Sequence, residues 1–68
     1  MNDRNGIPVK VGARVKVALG DLPSFEGWVR TIRYDDMFAR VDNGEQGVDL
    51  AEGSFVAFAR SDEIEVLP

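Results

Sequence analysis

The chain has 68 residues, with 8 Lys and Arg against 12 Asp and Glu for a net charge of −4. That is below the ~100–200 residues usual for a domain, so one domain is expected, and a core of this size leaves room for homo-oligomer contacts to add buried surface. The absence of Cys and His removes disulfides, thiolate nucleophiles, most zinc sites and the side chain best suited to proton transfer near neutral pH. A non-enzymatic protein without a cofactor or metal is expected.

The first six residues, Met1 to Gly6, are polar with no apolar stretch behind them, and no apolar run approaches the ~20 residues of a membrane helix, so a cytoplasmic location is expected. Charge is unevenly spread: residues 1–40 carry an excess of +2, and residues 41–68, with Arg60 against seven carboxylates, carry −6. Nothing here resembles the basic field that dominates binding to phosphate backbones.

Residues 1–8 read as a flexible N-terminal segment and 9–68 as the folded domain. Val9, Val11, Val15 and Val17 alternate with Lys10, Arg14 and Lys16, a period of two that turns valines to a core and basic stems to water; Gly12 interrupts it, so a first strand is expected from Ala13 to Ala18. Residues 20–27 read as a loop bounded by Gly20 and Gly27, with Leu22 and Phe25 tucked onto the core. Trp28–Tyr34 and Met37–Asp42 read as the second and third strands around an Asp35-Asp36 turn, with Ala39 and Val41 on one face. Asn43-Gly44 is a hairpin signal that would fold residues 45–50 back on the third strand. Ser54–Ala59 reads as the fourth strand with Val56 and Phe58 inward, Asp62-Glu63 as a 3₁₀ turn, and Ile64–Val66 as the fifth strand. Seven glycines and three prolines leave no clean helical window. The fold class expected is all-β, a five-stranded SH3-like small barrel.

From Val15-Lys16-Val17-Ala18-Leu19-Gly20 through Phe25-Glu26-Gly27-Trp28-Val29 the spacing resembles the KOW motif of NusG-type elongation factors and several ribosomal proteins. Continued through Tyr34, Val41, Val56 and Ile64, the resemblance covers residues 13–66 with an insertion around 43–53. It implies a barrel whose loops contact RNA, ribosome or RNA polymerase. The matching loop here carries Asp21 and Glu26 and no Lys or Arg, which speaks against RNA at that position. Gly12-Ala13-Arg14-Val15, Gly27-Trp28 and Gly53 to Phe58 are also similar to the type II dihydrofolate reductases, SH3-like barrels that form tetramers. Ala57 and Phe58 stand where that family's active strand has Gln and Tyr, so its chemistry is not carried over.

Candidate partner-binding residues are Arg14, Lys16, Trp28, Arg30, Arg33, Tyr34 and Phe55. The four cations would form a basic stripe over two adjacent strands, read either as a binding surface or as a solvated face. Trp28 and Tyr34 would stack on a base, clamp a peptide, or, for the only Trp, plug the core. Phe55, opposite in phase to Phe58, would mark a protein contact or a dimer seam. Asp42, Glu45, Asp49 and Glu52 form an acidic set that would face solvent, a cation or a basic partner. The function expected is an interaction module for a protein partner in a transcription, translation or mobile-element complex, with RNA or single-stranded DNA on the basic strand face as the alternative.

Overall fold

A computed structural model describes residues 1–44 and 56–68. The valine alternation of the first strand builds β1, Arg14–Val17, in which Val15 and Val17 are buried and Arg14 and Lys16 exposed. β2 is longer than expected, Phe25–Arg33. β3 is Phe38–Asp42 and β4 is Val56–Ala59. A 3₁₀ turn at Ser61–Glu63 leads into β5, Ile64–Val66. All ladders are antiparallel and the sheet order is β4-β3-β2-β1-β5, so the described chain is all-β in a single five-stranded sheet. Among the described residues, β4 and β5 are linked by the 3₁₀ turn and by no ladder.

The core collects the inward residues of every strand. Val15, Val17, Val29, Val41 and Ile64 are fully buried, joined by Val9, Ala39, Ala57 and Ala59. Three expectations about it need correction. Val11 is exposed, because the turn at Gly12 (φ +92°) breaks the alternation after Val9. Leu22 is also exposed, and of the two only Phe25, which opens β2, packs against the core. On β4 the faces are reversed: Ala57 and Ala59 point inward, and Val56 and Phe58 outward. Register decides this, since Ala57 pairs with buried Val41 and Ala59 with buried Ala39, and in a period of two one step exchanges the faces.

Residues 1–9 fold along β5. Asp3 donates its N–H to Ile7 and its Oδ1 accepts from Asn5 and Ile7. Arg4 N–H donates to the Ile64 carbonyl at 2.9 Å, and Val66 N–H donates to Asp3 Oδ2 at 2.8 Å. The Met1 ammonium pairs with Asp36, and Ser61 Oγ donates to the Asn2 carbonyl.

Two turns carry backbone constraints. Tyr34, Asp35 and Asp36 occupy the left-handed region in succession (φ 58°, 55° and 68°) between β2 and β3. This is a conformation that costs L-residues other than glycine roughly 1–2 kcal/mol each. Gly27 faces the opposite limit, close approach: a Cβ built there would lie 2.7 Å from the Asp42 carbonyl carbon. We therefore expect Asp35→Gly to raise stability by up to about 1 kcal/mol and Gly27→Ala to lower it by about 1–3 kcal/mol. Urea unfolding of the two variants beside the parent checks both signs.

Candidate binding face

The outward side of the sheet is organised by arginines and aromatic rings. Arg14 and Trp28 are register partners on β1 and β2, and both the Arg14 and Arg30 guanidiniums lie against the Trp28 ring, at 5.2 and 5.6 Å from its centre. Trp28 is thus half-buried on the outward side and is not part of the core. Arg14 also reaches Glu26 at 3.4 Å across an exposed pair, a contact of small energetic weight. Lys16 stands opposite Glu26 on β2 and Glu65 on β5.

Arg30 sits at an irregularity in the β2–β3 ladder between Val29 and Thr31, where a bulge adds a residue to β2. Its side chain is aimed at Asp42, with Nε donating to Oδ1 at 3.0 Å, while Nη2 donates to the Gly44 carbonyl at 2.6 Å. Arg40 Nη1 donates to Asp42 Oδ2 at 2.9 Å, and Gly44 N–H donates to Oδ1 at 3.1 Å. Asp42, which the acidic-set reading placed on the surface, is in fact buried as the anion of an arginine clamp. The Arg30 hydrogen bond holds its carboxyl below the ordinary Asp value; burial opposes this, and the Gly44 N–H and the Arg30 and Arg40 charges reinforce it. Glu45, Asp49, Glu52, Phe55 and the hairpin expected after Gly44 lie outside the described residues.

The remaining candidates lead to a second cluster. Arg33 is the register partner of Phe38. Tyr34 meets Phe38 edge-on with ring centres 5.6 Å apart and approaches Phe58 at 6.5 Å. Arg40 pairs with Phe58 across β3 and β4, and just past the Ala39–Ala59 pair that ends this ladder Arg60 lies over Phe38 at 5.4 Å. Phe38-Ala39-Arg40 and Phe58-Ala59-Arg60 are therefore the same tripeptide laid antiparallel, with the alanines inward and each Phe outward beside the other strand's Arg. The sequence reading missed Phe38, Arg40, Phe58 and Arg60 as a surface, although the repeated Phe-Ala-Arg was a legible signal for it. Tyr34, Met37 and Phe58 are 64%, 61% and 46% exposed. Arg33 and Arg60 have no ion-pair partner among the described residues.

An open groove of about 610 Å³ borders this cluster, lined in part by Met1, Asp36, Met37, Arg60 and Asp62. Among the described residues no three acidic side chains come together in a way that would hold a metal, and no helix is long and apolar enough to cross a membrane. No protein-family model matches the chain, and neither a curated protein nor a solved structure matches it.

Asp3 titrates in the same direction as Asp42. Burial alone would raise its carboxyl, but the N–H donors of Val66, Ile7 and Asn5 and the nearby Arg4 outweigh it, and the group stays below its ordinary value. A depressed folded-state value means that the folded chain takes up these protons less readily than the unfolded chain. The stabilisation is complete above the unfolded value near ~4 and is lost as pH falls through the folded one. Urea midpoints are expected to be flat from about pH 7 to about pH 5 and to fall below about pH 4, with a shallower acid limb in Asp3→Asn and Asp42→Asn. An acid limb identical in parent and both variants would count against this assignment.

Proposed function

We propose that the chain is a non-enzymatic, SH3-like interaction module that holds a protein partner on the outward face of β2, β3 and β4. The make-up of that face carries the reading: Tyr34, Phe38 and Phe58 lie together, exposed Met37 precedes Phe38 in the turn from β2, and every cation on the face is an arginine, Arg30, Arg33, Arg40 and Arg60. Interface cores are enriched in aromatic residues, Met and Arg and depleted in Lys and Glu. An exposed apolar group of this kind on so small a domain is a contact surface.

The ring geometry favours a protein over single-stranded nucleic acid. Bases stack on open ring faces, whereas two guanidiniums lie against the Trp28 ring and Phe38 is covered by Arg60 and met edge-on by Tyr34. The small-barrel part of the proposal is supported by the strand order, by the 3₁₀ turn before β5 and by the close approach at Gly27 within the KOW-like stretch.

The test is affinity capture from cell lysate with and without nuclease, using the parent, Tyr34→Ser and Phe58→Ser. Proteins retained by the parent regardless of nuclease, and reduced about tenfold by either substitution, are expected from the loss of an aromatic anchor. Equal retention by the variants, or retention abolished by nuclease, would overturn the proposal.

A further inference from the structure

We infer that the segment held on this face is acidic: an extended stretch of a partner protein in which Asp or Glu alternates with apolar or aromatic residues. This rests on the reading of β2, β3 and β4 as a protein-binding face and adds the chemistry of what binds there.

The inference comes from how charge is distributed over the fold. The whole chain carries −4, yet the outward side of these strands presents Arg30, Arg33, Arg40 and Arg60 against two carboxylates, Asp42 and Glu26, two positive charges in excess, and Glu26 at the far end of β2 is paired with Arg14 of β1. Asp42 is already taken by Arg30 and Arg40. What the face offers to a ligand is therefore Arg33 and Arg60, both unpaired among the described residues and both beside Phe38, one as its ladder partner and one over its ring. The bordering carboxylates belong to turns: Asp36 is occupied by the Met1 ammonium, and Asp35 and Asp62 flank the face without pairing to either arginine.

Covering Tyr34, Phe38 and Phe58 with a partner strips water from these two guanidiniums. Removing a charge from water is costly unless a counter-charge replaces the lost hydration, so a neutral apolar segment is disfavoured and a basic one repelled. Carboxylates suit the arginine fork, which binds them through two parallel hydrogen bonds. A second copy of this chain is a poor occupant, because it would bring the same positive excess against itself. A phosphate would also satisfy the arginines, but a long polyanion meets the net −4 of the whole chain, which a short acidic segment largely avoids.

The experiment selects short random peptides displayed on phage against the full chain, then measures labelled synthetic peptides and an oligo-dT by fluorescence anisotropy. Parent, Phe58→Ser and the double substitution Arg33→Glu with Arg60→Glu are compared, and circular dichroism and urea unfolding confirm that each is folded. Expected are selected peptides rich in Asp or Glu with aromatic or aliphatic residues, weakened about tenfold or more by the double substitution and by added salt, and lost with Phe58→Ser. Neutral or basic peptides that still depend on Phe58 would overturn the acidic chemistry and leave the protein-binding face standing. Oligo-dT binding that the same substitutions abolish, without peptide enrichment, would overturn both in favour of nucleic acid. No enrichment and no oligo-dT binding would overturn both outright.

Discussion

A carboxylate taken out of water must be met by donors, and Asp42 at the end of β3 imposes that requirement on its whole neighbourhood. Arg40 answers it from two residues earlier on the same strand, Arg30 from the bulge in β2, and Gly44 from the chain that leaves β3. Gly27 lets β2 press against the Asp42 backbone from the other side. The bulge leaves Arg30 without a ladder partner on β3, and its side chain turns to Asp42. Without both arginines, the carboxylate would be a buried charge lacking compensation. The clamp also sorts the cations of the sheet, since those it binds are fixed in place and only the ones beyond its reach remain for a ligand.

Strand positions were legible where they depend on local chemistry, such as valine alternation for β1 and an Asp-Asp turn after β2. The start of β2 was not, because Gly27, read as the end of a loop, lies inside the strand where it meets the Asp42 backbone. Which face of β4 turns inward was not legible. Val56 and Phe58 are the more hydrophobic pair, but Ala57 and Ala59 stand opposite Val41 and Ala39, and a tight interior there is filled by small side chains. That choice depends on ladder pairing between residues far apart in sequence, which composition does not contain.

The candidate site was legible in the same partial way. Arg14, Trp28 and Arg30 were placed together because they lie on consecutive strands, and the structure brings them into contact. Their neutralisation by Glu26 and Asp42 was hidden. It required the β1–β2 register in one case and the β2–β3 pairing in the other. Tyr34 and Arg33 were named without their neighbours, since Phe38, Phe58 and Arg60 join them only after β4 has folded against β3. Cation–π contacts of this exposed kind contribute only about 0.5–1 kcal/mol each. Their main effect here is to hold rings and guanidiniums in fixed mutual positions.

The first residues of the chain have a different bearing on its behaviour. An edge strand invites further strands through its outward N–H and C=O groups. On β5 those groups are already engaged, the Ile64 carbonyl by Arg4 and the Val66 N–H by the Asp3 side chain. A foreign strand arriving on that flank would have to evict a carboxylate and break two hydrogen bonds before forming its first. Sheet growth from β5 into a fibre or a swapped dimer therefore meets a threshold at the outset, set by residues 1–9.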